Sequence, residues 1–84
     1  MMIHELKIWL RFYEAVVSGV KPFEVRKNDR NFKVGDTLCL QEYLPIIGKY
    51  TGRQINVVVS YILDDDSFLR DGIVILGFQN FKGV

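Results

Sequence analysis

Cysteine, histidine and proline are scarce in this 84-residue sequence. Cys39 is the one cysteine, so no intramolecular disulfide can form, and a cysteine-based zinc site lacks its ligands. His4 is the one histidine, a poor basis for a metal site. Stability must come from the core, which fits a reducing cytoplasm. Pro22 and Pro45 stand far apart, and no proline-rich linker, repeat or low-complexity tract is present. The longest apolar run, Ile73 to Leu76, is far too short to span a bilayer. Met1 to Glu5 reads as no secretory leader, because charge arrives early and no apolar stretch follows. A large excess of one charge sign is also missing: Lys+Arg is 11, Asp+Glu is 10 and the net charge is +1. That excludes a basic coat for non-specific nucleic-acid binding, though not a local basic patch. The length allows one domain, residues 1–84, and no second core.

What is present is an ordinary globular composition, 49% hydrophobic and 25% charged. The spacing predicts a short strand over His4 to Ile8. A helix follows, with Trp9, Phe12, Tyr13, Val16 and Val17 on its apolar face and Gly19 ending it. Val20 to Lys27 alternates, which predicts a half-buried strand with Phe23 and Val25 inward and Glu24 and Arg26 on a charged outer face. Pro22 marks its start or an edge. Phe32 to Asp36 reads as a tight turn into a strand over Thr37 to Leu44. Pro45 to Gly52 reads as a hairpin loop, Arg53 to Leu63 as the strongest strand, and Ile73 to Phe81 as the last. About five strands and one helix in so short a chain predict an α+β, mainly β fold. The form expected is a small barrel with mostly antiparallel pairing.

Charge is unevenly divided. Residues 1–33 carry seven basic and four acidic residues, a balance of +3, and the remainder carries −2. The cluster from Lys21 to Lys33 could bind phosphates, and equally it could be a solvated face with its own ion pairs. Lys21 and Glu24 are the candidate proton-transfer pair if enclosed, since burial and charge partners shift pKa values. His4 is expected to make a structural hydrogen bond. Asp64, Asp65 and Asp66 lack the ligand spacing of a calcium loop and read as a solvated loop. Trp9, Phe12 and Tyr13 read as core, while Phe32, Tyr43 and Tyr50 are the aromatics expected at the surface. No P-loop, dinucleotide fingerprint or serine triad is present, so no cofactor and no metal are expected.

The order of short motifs adds a resemblance. His4-Glu5-Leu6-Lys7 is followed by a helix. Then come Gly19, Lys21, Glu24 and Arg26 in a Gly-x-Lys-x-x-Glu-x-Arg pattern, Val34-Gly35-Asp36, Tyr50-Thr51-Gly52-Arg53, and Gly72-Ile73-Val74-Ile75-Leu76. Over nearly the whole chain this resembles the ASCH domain family of PUA-like folds, in its small bacterial and phage branch. The resemblance implies a PUA-like barrel with the N-terminal helix across one side and an RNA- or nucleotide-binding cleft between them. Lys21 and Arg26 are then cationic donors, and Glu24 holds them or accepts from an exocyclic amine. His4, Lys7 and Arg30 are implied neighbours of the same cleft. One related group hydrolyses N4-acetylcytidine with a Lys, a Thr three residues on and a downstream Glu. Lys21 matches the first, but Glu24 fills the Thr position, and for the third Asp64 to Asp66 or Asp71 could be argued without a firm match, so catalysis is not carried over. The expectation is an RNA-binding or nucleotide-recognition module, with a nucleoside- or RNA-directed hydrolase and a protein-interaction module as alternatives.

Overall fold

The computed structural model describes residues 1–79. Six elements follow one another: β1 (Ile3–Trp9), α1 (Leu10–Val17), β2 (Phe23–Lys27), β3 (Thr37–Leu44), β4 (Lys49–Leu63) and β5 (Ile73–Phe78). The fold is mainly β with one short helix, and the strands form a five-stranded sheet in the order β1-β3-β4-β5-β2. Three of the pairings are antiparallel, as the hairpin reading expects. The fourth, β1 with β3, is parallel, because α1, β2 and a long connection separate the two strands in the chain. Among the described residues no backbone ladder joins β1 to β2, so these two are the sheet's edges. The expected final strand ends at Phe78; its Asn80 and Phe81 lie outside the described residues.

One inner face collects the core. Leu6 and Ile8 of β1, Leu38 and Leu40 of β3, Ile55, Val57 and Val59 of β4, and Val74, Leu76 and Phe78 of β5 are all buried. Each set follows the two-residue period of a strand. Helix α1 packs Tyr13 and Val16 onto this face. Eight residues without a side-chain N-cap or an acidic first turn could not hold a helix alone, so tertiary packing sustains it. Gly19, at φ +86°, ends it as expected, its N–H bonding the carbonyl of Val16 at 3.0 Å. The helix face is narrower than its sequence pattern predicts. Trp9 is the last residue of β1 and points with Lys7 to the outer side. Phe12 sits at the helix margin, leaving Trp9 46% and Phe12 37% exposed.

The phase of β2 is the reverse of the expectation. Glu24 is only 5% exposed, whereas Phe23 and Val25 are open to solvent. The register with β5 sets this phase. Glu24 lies opposite Leu76 and Arg26 opposite Val74, and both partners point into the core. Directly opposed residues share a face, so the charged pair turns inward with them. The cost of burying Glu24 is offset by its cationic neighbours. Phe32, expected at the surface, is buried against the His4 ring, edge to face at 4.7 Å. No helix among the described residues is long and apolar enough to cross a membrane.

Candidate functional site

An open cleft of about 220 Å³ lies where the edges β1 and β2 approach each other beside α1. Lys7, Ile8 and Trp9 line it from β1, Phe12 from α1, and Glu24, Val25 and Arg26 from β2. The volume is below that of drug-sized pockets. Trp9 and Phe12 stack at 6.3 Å between centroids with 19° between their planes, forming an exposed aromatic wall. Lys7 lies with its Nζ 4.1 Å above the Tyr43 ring.

Glu24 occupies the cleft floor. Its Oε2 accepts from Lys21 Nζ at 2.5 Å, while its Oε1 lies 3.8 Å from Arg26 Nη1, beyond hydrogen-bond range. The two carboxylate oxygens are therefore unlike: one accepts a hydrogen bond from Lys21, and the other makes a longer ion pair with Arg26. Lys21 itself is largely enclosed. It also donates to the carbonyl of Phe23 at 2.8 Å and lies near the rings of Phe12 and Phe23. Its ammonium neutralises Glu24 from behind and does not line the cleft. Arg26 donates to the carbonyl of Lys7 at 3.0 Å, and Arg30 to that of Glu5 at 2.9 Å. Both arginines thus reach from the β2 side to the free edge of β1.

The structure brings Lys7, Glu24 and Arg26 together at the cleft, with Lys21 just behind and Arg30 further along the seam. It does not bring His4 there. Alternation along β1 sends Lys7 outward and His4 inward, where Nε2 donates to Asp36 Oδ2 at 2.8 Å. Asp36 also accepts the backbone N–H groups of Met2 and Lys33, each at 3.1 Å. The Val34-Gly35-Asp36 turn is consequently a clasp between the start of β1 and the start of β3. The His4 bond, with backbone donors helping, holds the Asp36 carboxyl at a pKa of about 2, against an opposing effect of burial. Asp64 to Asp66 form the expected exposed loop, in which Asp65 accepts the Ser67 N–H at 2.8 Å. Among the described residues no group of three or more His, Cys, Asp or Glu side chains could hold a metal ion.

Sequence reasoning missed a third buried carboxylate, after Glu24 and Asp36. Glu42 is 1% exposed and receives Arg53 through two bonds, Nε at 2.8 Å and Nη2 at 2.7 Å, plus the Thr51 hydroxyl at 2.5 Å. These donors, Arg53 foremost, hold its carboxyl below the usual range against the effect of burial. An irregularity between Gln41 and Tyr43 makes this possible. Gln41 pairs with Gln54 and Tyr43 with Tyr50, so three residues of β4 oppose Glu42 alone. Gly52, at φ +93°, lets the strand bend there. The signal was in the sequence: Glu42 continues the inward phase of Leu38 and Leu40.

Fold and cleft together define a small, mainly β domain with a charged and aromatic cleft at the seam of its sheet edges. The chain belongs to the family described as a domain of unknown function (DUF3850), which it matches over residues 3–78. It is also 36% identical over 73 residues to an uncharacterized 12.9 kDa protein in the GpA 3'region of Escherichia phage P2. That alignment spans 87% of this chain and 65% of the phage protein, so the chain covers less than two thirds of this relative's length.

Proposed function

We propose that this chain is a non-enzymatic RNA-binding or nucleotide-recognition module, and that the cleft between β1, α1 and β2 is its site. The observation that carries this reading is the divided Glu24 carboxylate. One oxygen accepts a hydrogen bond from Lys21; the other is ion-paired with Arg26 but accepts no hydrogen bond, in a cleft also lined by Lys7, Trp9 and Phe12. An acceptor for an exocyclic amine, cations for phosphate and a ring for a base are the three contacts that nucleotide recognition uses. Lys21 serves in this reading as the group that holds Glu24, and Arg26 and Lys7 as the phosphate donors. The small, open volume suits one base entering from a strand better than an enclosed substrate.

The same reading takes the sheet as a PUA-like barrel of the ASCH kind, closed by side chains in place of a ladder. What supports it is the reach of Arg26 and Arg30 to the edge carbonyls of β1. A cytoplasmic setting agrees with the single, buried Cys39.

Fluorescence anisotropy of short single-stranded RNAs at about 50 and 200 mM salt tests the function. Binding that weakens with salt, and weakens further in Glu24→Gln and Arg26→Ala, is expected. Binding that is undetectable, or insensitive both to salt and to Lys21→Ala, overturns it.

A second reading, a protein-interaction module, is favoured by a different surface. An apolar groove of about 420 Å³ runs between Trp9, Leu10 and the turn after β3, where Ile46 and Ile47 stand exposed. Ile46→Asp separates the two: it leaves RNA affinity unchanged in the first reading and abolishes protein association in the second.

A further inference from the structure

We infer that the cleft's ligand is a single-stranded RNA tract of about three nucleotides, whose bases continue from Trp9 across the outer sheet face onto Tyr43 and Tyr50. This rests on the reading of the cleft as an RNA site and adds a second, contiguous surface to it.

The register places Trp9 of β1 opposite Tyr43 of β3, and Tyr43 opposite Tyr50 of β4. Three aromatic side chains therefore form one row across three adjacent strands. Tyr43 and Tyr50 lie edge to face at 5.0 Å, and Tyr50 is 55% exposed. The neighbouring row is polar: Lys7 lies opposite Gln41, and Gln41 opposite Gln54. This is the outer side of the sheet, because the intervening Leu6, Ile8, Leu40 and Ile55 are buried on the inner side.

Each row has the composition of a single-strand platform. The aromatics offer faces on which any base stacks, and the amides offer both donors and acceptors to base edges. Trp9 begins the aromatic row and Lys7 the polar row, and both line the cleft, so the surfaces are continuous. Adjacent strands lie about 4.8 Å apart, so the row from β1 to β4 spans about 10 Å. A stacked strand advances roughly 3.4 Å per nucleotide, which makes the row about three nucleotides long. Its far end is concave: Gln41, Tyr50, Gly52, Arg53 and Gln54 line a depression of about 220 Å³ shaped by the irregularity opposite Glu42. Lys7 now covers the Tyr43 ring. An exposed cation–π contact is weaker than base–aromatic stacking, so an incoming base displaces the ammonium toward a phosphate.

Trp9 is the only tryptophan, so its fluorescence reports directly on the cleft. Titrate a ribonucleoside monophosphate and a single-stranded RNA hexamer into the native protein, Tyr50→Leu and Gln54→Glu, with thermal melts as the check on folding. The expected result is Trp9 quenching by both ligands and hexamer binding at least tenfold tighter. Tyr50→Leu should weaken the hexamer at least fivefold and leave the mononucleotide unchanged. Gln54→Glu, an exposed change that places negative charge beside the strand, should act in the same direction and serves if Tyr50→Leu does not fold. Hexamer affinity equal to that of the mononucleotide, or untouched by both substitutions, overturns the inference and leaves the cleft reading standing. No quenching and no binding by either ligand overturns both.

Discussion

The guanidinium of Arg26, on the edge strand β2, donates to the backbone carbonyl of Lys7 on the other edge strand, β1, at 3.0 Å. Arg30 repeats the arrangement on Glu5, two residues earlier along β1. The parallel pairing turns alternate peptides of β1 toward β3, and Glu5 and Lys7 offer theirs to the opposite edge. Open strand edges invite association with other chains, and here arginine side chains cover the edge. Lysine could not span the gap with the same planar fork. The double variant Arg26→Lys/Arg30→Lys should lose about 1 kcal/mol per bond, less than a buried charge-assisted bond because both sites are partly solvated. Its Tm should fall by roughly 8–16 °C in a melting experiment, and it should self-associate more readily at high concentration. An unchanged Tm would mean that the seam contributes no stability.

Asp36 gives the molecule a calculable acid response. Its carboxyl titrates near an ordinary 3.8 in the unfolded chain and at about 2 in the folded one, first because of the His4 bond. A lowered folded-state value means that the contribution is complete above pH 3.8 and disappears as pH falls through about 2. Asp36→Asn should therefore be clearly less stable than the native chain at pH 7, with the gap closing between pH 4 and pH 2. Urea unfolding at a series of pH values measures the gap. A gap constant over that window would show that the clasp depends on shape and not on charge.

Much of the architecture was legible because it depends on local rules. Gly19 could end the helix and Pro22 could open an edge strand whatever lay around them, and the alternating Leu38 and Leu40 could face only inward. What could not be read was long-range. The direction of β1 beside β3 depends on how the chain crosses between them. The phase of β2 is decided by Val74 and Leu76, some fifty residues away, and not by the more apolar side of β2 itself. For the candidate site, the residue types Lys21, Glu24 and Arg26 were visible, as was Lys7. Their division of labour was not. Whether Lys21 lines a cleft or stands behind Glu24 depends on that phase, and the inward turn of His4 depends on one step of parity along β1.

Cys39 should be a slow-reacting thiol. It is buried, and burial raises its pKa, with the charge of Glu5 adding to the effect and a bond from Gln41 opposing it. Only the thiolate reacts, so both access and ionisation are reduced. Labelling with a neutral disulfide reagent at pH 7.5 should be slow in the native protein and become fast in urea. Its native rate then reports opening of β3, and it should rise in the Arg26→Lys/Arg30→Lys variant if opening of the seam exposes the β1–β3 pair. Rapid labelling of the native chain would contradict the burial.

Glu42 and Arg53 should dominate the mutational sensitivity of the β3–β4 hairpin. The two side chains are unequally placed: Glu42 is fully enclosed, while the Arg53 side chain is 58% exposed and also reaches Glu14 at 3.7 Å. Removing either partner breaks the same bonds but leaves different remainders. Glu42→Ala leaves a guanidinium that water can solvate. Arg53→Ala leaves a buried carboxylate with the Thr51 hydroxyl as its remaining side-chain donor, and an uncompensated buried charge is the more costly state. Arg53→Ala should therefore lower the Tm clearly more than Glu42→Ala, which should cost about 1–2 kcal/mol. Arg53→Ala should also show the steeper pH dependence. Its Glu42 loses the donor that chiefly lowers its pKa, so the folded form takes up a proton at higher pH than in the native chain. Acidification from pH 7 toward pH 4 should then narrow the deficit of Arg53→Ala, because the buried group becomes neutral, while Glu42→Ala has no such group to neutralise. Equal losses with parallel pH profiles in chemical unfolding would show that the bonds alone matter, and not the charge left behind.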